Sequence, residues 1–218
     1  MTTIACYNFN NALEGATVYD DAGAHNGSVV GTVPLVGGPI GNKARFFNGD
    51  VANYITILNH SDFAIDITKT IEIWFTSPPS NTDYRYLITK TITWGSDPTM
   101  QFHVSNTGIL VAQIATNSAN YIGATISIAV STLYYAAFTF DRPAKKMILY
   151  VNGVPVAAGV EVGTYAGGDI DRPIKIGAGR DTVQYPFNNL IHALRWSNVV
   201  KTAKEIFDTY MAANVQET

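Results

Sequence analysis

An all-β, antiparallel fold is predicted by three features of this 218-residue sequence. Side chains in Tyr134–Asp141 alternate with a period of two, which is typical of a strand with one buried side. After a proline-containing turn and a second alternating run, Asn152-Gly153 supplies the two positive-φ residues that a type I′ hairpin requires. Helical periodicity occurs only near the C-terminus. Residues 134–156 therefore form an antiparallel meander, which excludes a parallel α/β unit.

Further strands are predicted wherever short alternating or β-branched runs are bounded by turn residues. They cover 4–9, 29–33, 44–47, 53–58, 70–76, 84–89, 100–104, 108–115, 121–129, 174–177 and 189–197. Between them we expect a glycine-proline connector at 35–42 and loops at 20–28, 77–83, 94–98 and 161–172. There is no linker, repeat or low-complexity run, so residues 1–218 are predicted to form one domain.

The C-terminal segment is predicted to be a helix. Thr202 and Glu205 have the spacing of a capping box, in which the hydroxyl accepts a backbone N–H while the carboxylate reaches back. Ala203, Ile206, Phe207 and Tyr210 share one face of this helix. We expect that face to dock on the β-sandwich.

Composition excludes several classes of protein. Net charge is −3 with scattered basic residues, so a nucleic-acid partner is not predicted. The sequence shows no signal peptide and no apolar run long enough for a membrane helix. The only cysteine, Cys6, is interpreted as a small buried strand residue rather than a catalytic thiol. We expect a soluble product made in a reducing compartment.

Charged residues make up 14% of the chain, against roughly 25% in ordinary soluble domains. With 47% hydrophobic residues and twelve tyrosines, much of the exterior is predicted to be uncharged. Two causes fit this pattern: polar-aromatic surfaces that meet sugars, or surfaces covered by neighbouring subunits. Composition does not choose between them.

Several segments, in their order along the chain, resemble the concanavalin A-like lectin/glucanase superfamily and its laminin-G-like branch. They are Ala44–Trp74 (strand, turn, strand, then TIEIW), Tyr86–Lys90 (YLITK), Ala137–Val156 (the meander with Asn152-Gly153), Ile174–Gly179 (IKIGAG), Phe187–Trp196 and Thr202–Ile206. The resemblance implies a jelly roll, in which two antiparallel sheets pack face to face. Activity still has to be argued from a site.

No catalytic constellation is evident. Glucanases of this fold place acids at alternate positions of one strand, and none of the five glutamates here has that spacing. Asp169 and Asp171 have it, but in a loop. The four histidines lie apart, no Gly-x-Ser-x-Gly elbow occurs, and no His-x-x-x-His or Cys-x-x-Cys spacing predicts zinc. The chain is predicted not to be an enzyme.

Calcium is the metal that the resemblance suggests. Asp20, Asp21 and Gly23 resemble the family's D-x-S-G loop, which often contributes to a calcium site. The acids of the family's I-D-E element are missing, because Ile191 is followed here by His192 and Ala193. The alternative is a solvated turn capped by Asp. A different site from Asp169, Asp171 and Asp181 also stays open.

Glycan binding is predicted at polar-aromatic loops, where a sugar ring can stack on an aromatic face. The candidate residues are Trp94, Asp97, Tyr84, Tyr86 and Tyr165. Arg85 flanks the same loop as Tyr84 and Tyr86, and Tyr185 occupies another loop. Trp74 and Trp196 alternate within strands and are interpreted as packing residues.

The predicted function is a displayed, non-enzymatic recognition or structural module. One setting is the surface of a virus particle, as a phage decoration or tail component that touches host glycans. The alternative is a free lectin-like protein of cellular origin. In either setting the partners are a glycan or host-surface ligand and further copies in a homo-oligomer or larger assembly.

Overall fold

The computed structural model describes residues 3–11, 13–39, 42–91, 98–179 and 184–214. Within these ranges the chain forms two antiparallel sheets that pack face to face, followed by one α-helix. The all-β prediction is confirmed. None of the helices in these ranges has the length and apolar character needed to cross a bilayer.

The strands range from two to nine residues in length. Their bounds are β1 (Thr3–Tyr7), β2 (Thr17–Val18), β3 (Gly27–Val30), β4 (Leu35–Gly38), β5 (Asn42–Phe46), β6 (Tyr54–Ile57), β7 (Lys69–Thr76), β8 (Arg85–Lys90), β9 (Thr99–Val104), β10 (Ile109–Asn117), β11 (Asn120–Ser127), β12 (Leu133–Asp141), β13 (Lys146–Val151), β14 (Val154–Ala158), β15 (Val160–Val162), β16 (Ile174–Ile176) and β17 (Leu190–Ser197). A 3₁₀ turn, η1, spans Ser61–Phe63, and α1 spans Ala203–Asn214.

The first sheet has the strand order β14-β13-β12-β7-β17-β5-β4, and β1 also pairs with β17. The second sheet has the order β15-β11-β10-β9-β8-β16-β6-β3-β2. The core lies between the sheets and is filled by their inward-facing apolar side chains. Phe102 of the second sheet meets Phe138 of the first edge to face, with ring centroids 5.4 Å apart. Each such fully buried side chain contributes about 1.5–3 kcal/mol.

The predicted meander is present as β12, β13 and β14. Asn152 and Gly153 have φ values of 50° and 79°, as the type I′ turn requires. The burial differs from the expected pattern, because Tyr135, Ala137 and Thr139 on the outer side of β12 are also buried. Helix α1 packs over that side, so the strand has two buried faces.

Three local expectations are corrected. The predicted connector contains β4, which pairs with β5, because Leu35 and Val36 meet partners that only the fold brings near. The predicted loop at 161–172 begins inside β15, which pairs with β11. On α1, Ile206 and Tyr210 dock as expected, whereas Ala203 is exposed and Phe207 is 44% exposed.

The capping box of α1 is confirmed. The Thr202 backbone N–H donates to Glu205 Oε2 at 2.7 Å, and the Glu205 backbone N–H donates to Thr202 Oγ1 at 3.3 Å. Donation from the Thr202 backbone N–H, and next from the Thr202 hydroxyl, lowers the pKa of the Glu205 carboxyl. The two bonds supply partners for N–H groups that otherwise have none at a helix start.

Candidate functional site

A groove with a cavity volume of about 680 Å³ lies on the outer face of the second sheet, across β8, β9, β10 and β11. Aromatic and uncharged polar side chains line it: Tyr84, Tyr86, Gln101, His103, Ser105, Asn106, Thr107, Ile109, Val111, Gln113, Ser118, Tyr121, Thr125 and Tyr185. The four strands span about 14 Å from β8 to β11, at roughly 4.8 Å per strand spacing. That length suits a short oligosaccharide.

The two-residue period of the strands produces the groove floor. In β9, Met100, Phe102 and Val104 enter the core, so Gln101 and His103 point to the outer face. The pairing register then aligns rows across the sheet. His103 is opposite Tyr86 on β8 and Val111 on β10.

Four rings form an aromatic cluster at the β8 end of the groove. Tyr86 stacks on His103 and on Tyr185, with centroid distances of 4.8 and 5.9 Å. Tyr84 contacts the same His103 and Tyr185 rings at 5.7 and 5.5 Å, and it is 38% exposed. Tyr84 therefore offers an accessible ring surface on a supported base, the arrangement that favours stacking of an apolar sugar face.

Two side-chain amides form the polar centre of the floor. Gln101 Nε2 donates to Gln113 Oε1 at 3.0 Å, across the β9–β10 pair. A glutamine amide has two donors and an acceptor with two lone pairs, and this bond uses one position on each residue. The remaining positions suit hydroxyl groups, which both donate and accept.

His103 is neutral at physiological pH. Burial lowers its pKa to about 4, since charging a desolvated imidazole is unfavourable. Its Nδ1 finds no hydrogen-bond partner among the described residues. The ring therefore acts as an uncharged aromatic element of the floor.

Two backbone features hold the aromatic cluster. Tyr185 has φ 57°, a left-handed conformation that is uncommon for a bulky residue, and its carbonyl accepts from the Tyr86 N–H at 3.2 Å. Gly179 lies directly against Tyr86, because a Cβ there would be 2.8 Å from the tyrosine ring. The absence of a side chain at Gly179 thus makes room for the Tyr86 ring.

The groove is electrically neutral along its described lining. None of its lining residues within the described ranges is Asp, Glu, Lys or Arg. Arg85 is adjacent in sequence, but its guanidinium donates to the Pro186 carbonyl at 3.2 Å. A neutral, aromatic and amide-rich surface favours an uncharged polar ligand.

A laminin G family model, described as concanavalin A-like lectin/glucanases superfamily, matches residues 47–207. The chain belongs to this superfamily. No curated protein matches the chain. The superfamily assignment confirms the resemblance inferred from the ordered sequence segments.

Among solved structures, domain 4 of AbnA, an extracellular arabinanase of Geobacillus stearothermophilus, is similar with 17% identity and a TM-score of 0.71. The match covers 94% of this chain and 97% of that domain. The receptor-binding domain of botulinum neurotoxin C/D mosaic serotype has 14% identity and a TM-score of 0.75, and the binding domain of Paraclostridial Mosquitocidal Protein 1 has 16% and 0.75. Both matches cover 96% of this chain and about half of the toxin domain, 51% and 52%. These likenesses show a shared fold.

The fold brings two of the five predicted glycan-binding residues together. Tyr84 and Tyr86 lie in the groove. Tyr165 does not, and its prediction is corrected: it is 1% exposed, packs on Phe140 and donates to Asp66 at 3.1 Å. A ring this buried has no face for a sugar. Trp94 and Asp97 lie outside the described residues.

Sequence reasoning missed Gln101, His103, Gln113 and Tyr121 in the groove. A signal was present, because Gln101 and His103 alternate with apolar residues in TMQFHV. β8 to β11 are consecutive strands that pair in chain order, but alternation alone did not reveal that their outer face stays uncovered.

The predicted calcium loop has a structural explanation. Asp20 is buried and its two carboxylate oxygens accept backbone N–H bonds from Cys6, Ala22, Ala24 and His25 at 2.7–3.2 Å. Asp21 accepts from Asn8 at 3.0 Å, and Gly23 provides a positive φ of 97°. This geometry favours the capped turn, and calcium here stays a prediction.

Asp169 and Asp171, from the alternative acidic set, also accept hydrogen bonds from other parts of the chain. Asp169 accepts from Lys90 Nζ and from the Ile65 N–H, both at 2.8 Å. Asp171 accepts from Asn59 at 2.8 Å, and Asp181 lies outside the described residues. Asp169 and Asp171 thus hold neighbouring segments in place.

Proposed function

We propose that this domain binds neutral oligosaccharides in the groove of the second sheet and does not cleave them. The observation that carries the proposal is the uncharged lining, which combines an aromatic cluster with a pair of amides. Sugar rings present one apolar face and several hydroxyls, so they match both parts. Stacking on Tyr84 supplies contact area, while Gln101 and Gln113 orient the hydroxyls.

Low exposure of the floor strengthens these contacts. Gln101, His103 and Gln113 are buried although they point away from the core. A hydrogen bond to a ligand in such a partly desolvated site is worth more than one at an open surface. The stacked, mutually supporting rings also lose little conformational freedom on binding.

The same lining supports a non-catalytic role. Glycoside hydrolysis ordinarily needs two carboxyl groups beside the scissile bond. The groove residues within the described ranges provide no carboxyl group. Structural neighbours support the same role, since one is described in complex with arabinotriose and another is a receptor-binding domain. A third is described with the finding that cell entry of botulinum neurotoxin type C depends on interaction with two ganglioside molecules.

The proposal is tested by measuring calorimetric affinity for arabinotriose and a panel of neutral and sialylated oligosaccharides. We expect a neutral saccharide to bind, and Tyr84→Ala and Gln113→Ala each to weaken it about tenfold, or 1.4 kcal/mol. Tyr19→Ala is the matched control, a half-buried tyrosine beyond β2 at the far end of the sheet. Equal affinity in wild type and both groove variants would contradict the proposal, as would binding of sialylated glycans alone.

We also propose that the domain is displayed on a virus particle as part of a larger assembly. Low charge and exposed valines on adjacent edge strands support it. Val154, Val156, Val160 and Val162 are exposed on β14 and β15, the final strands of the two sheets. Sedimentation of the full chain tests this setting: an oligomer supports it, and a monomer at high concentration contradicts it.

A further inference from the structure

A cluster of metal-ligating side chains lies outside the groove. His25, His60 and Asp62 place one ligand atom each within 4.8 Å of the others. His25 Nε2 and His60 Nδ1 are each 3.1 Å from Asp62 Oδ2. The cluster joins the β2–β3 connection to η1, two segments separated by 37 positions.

The distances fit a tetrahedral transition-metal ion. Zinc binds His nitrogen and carboxylate oxygen at about 2.0–2.2 Å, which sets ligand atoms of a tetrahedron roughly 3.4 Å apart. The two 3.1 Å separations are close to that value. His60 Nδ1 also accepts from the Asp62 backbone N–H at 3.2 Å, a capping bond of η1 that a bound ion would replace.

His25 is held in place before any ion arrives. Its backbone N–H donates to Asp20 Oδ2 at 3.0 Å, and its carbonyl accepts from the buried Tyr7 hydroxyl. Its ring packs edge to face on Phe63, at 4.7 Å. Fixing a ligand through neighbouring residues reduces the entropy lost when the metal binds. Asp20 therefore supports this cluster through its capped turn.

The cluster is open on one side. The exposed fractions of the side chains are 9% for His25, 52% for His60 and 37% for Asp62. Three protein ligands with access to solvent leave one position for water. Two imidazoles select zinc and similar ions over calcium, which prefers six to eight oxygen ligands.

We propose that His25, His60 and Asp62 form a binding site for a divalent transition metal of the zinc class. The ion ties the β2–β3 connection to η1. It also stabilises the folded chain, because it binds the native arrangement and not the unfolded one. Sequence spacing gave no indication, since the first histidine lies far from the other two ligands.

The test is calorimetric titration of the full chain with ZnCl₂ and, separately, with CaCl₂. Wild type is compared with His60→Ala and Asp62→Asn. Because these side chains are 52% and 37% exposed, neither substitution is expected to unfold the chain. Circular dichroism checks that each variant is folded. Asp21→Asn is the matched control, an exposed acid in the loop that precedes His25. Zinc-dependent thermal stabilisation provides the second measurement.

We expect zinc to bind wild type and Asp21→Asn alike. Each ligand variant should lose at least about tenfold in affinity, since removal of even an outer partner of a metal site often costs that much. Zinc should raise the unfolding midpoint of wild type and not of His60→Ala. Unchanged zinc affinity in both ligand variants, binding of calcium but not zinc, or loss of binding in Asp21→Asn alone would overturn the proposal.

Discussion

The outer faces of the two sheets carry similar residue types but differ in what covers them. On the first sheet, the Trp74 and Tyr135 rings pack at a tilt with centroids 4.5 Å apart, and α1 covers them through Ile206 and Tyr210. On the second sheet, the cluster of Tyr84, Tyr86, His103 and Tyr185 lines an open groove. One aromatic-polar face is completed by the chain's own helix, and the other remains available to a ligand.

Charge separates the two faces further. Beneath α1, the fully buried Glu72 accepts from the Tyr135 hydroxyl at 2.8 Å and pairs with Lys201, while Arg195 lies over the Trp74 ring. The described groove lining has no charged group. Among the described residues, a buried Nδ1 atom without a hydrogen-bond partner occurs on each face, at His103 and at His192, so this feature does not distinguish the faces. Coverage and charge therefore both favour the groove as the proposed binding face.

The largest effect is expected on the covered face. Glu72→Ala removes one partner of a buried ion pair and leaves the Lys201 ammonium without it, so the free energy of unfolding should fall by about 3–5 kcal/mol. Chemical denaturation measures this. Asp208→Ala is the control, because it breaks the exposed Lys204–Asp208 pair and should cost less than about 0.5 kcal/mol. Similar losses in both variants would contradict the distinction between a buried network and a solvated pair.

Acidification should affect both faces through one histidine each. Burial lowers the pKa of His103 and of His192 to about 4, below the ordinary value of 6.5. Between pH 6.5 and 4 the unfolded chain takes up protons that the folded imidazoles do not, so stability falls as pH falls. The loss is up to about 3 kcal/mol per histidine.

Denaturation at several pH values measures this dependence for wild type, His103→Gln and His192→Gln. Each variant should lose less stability on acidification than wild type, because one of the two histidine contributions is gone. Carboxyl groups titrate in the same window, so the difference between variant and wild type is the decisive quantity. Parallel pH profiles in all three proteins would show that neither histidine is held neutral.

The smallest effect concerns the support of the groove. Gly179→Ala places a Cβ 2.8–3.0 Å from three atoms of the Tyr86 ring, so the ring has to move. We expect a stability loss of about 1–3 kcal/mol and weaker saccharide binding. Gly37→Ala on β4 is the control, since its Cβ would meet open space within the described part of the chain. Full saccharide affinity in Gly179→Ala would show that the Tyr86 position does not matter for binding.

Local sequence signals predicted most of the fold. The Asn152-Gly153 turn, the capping box at Thr202 and the alternation in β12 each depend on residues close together in the chain. That α1 covers Tyr135 was not predictable in this way, because the helix lies more than 60 positions away in the sequence. The buried hydrogen bond between Tyr135 and Glu72 likewise joins residues 63 positions apart. Long-range packing therefore decided which faces are buried.

The candidate site was predictable only in part. Tyr84 and Tyr86 were selected from loop composition, and the structure places both in the groove. Tyr165 has the same local character, but it is buried because its ring fits beside Phe140 and Arg142. The groove is built mainly from the consecutive strands β8 to β11, and only Tyr185 joins it from a distant segment. The His25–His60–Asp62 cluster, in contrast, depends on two segments 37 positions apart in sequence.

We propose that the uncovered face of β8 to β11 is the ligand-binding surface. It is tested most directly by nuclear magnetic resonance titration of the ¹⁵N-labelled full chain with arabinotriose and other neutral oligosaccharides. We expect the amide shifts caused by a bound saccharide to concentrate on β8, β9, β10, β11 and Tyr185. Shifts that concentrate on α1 or on the β2–β3 connection would contradict it, as would the absence of shifts with every saccharide.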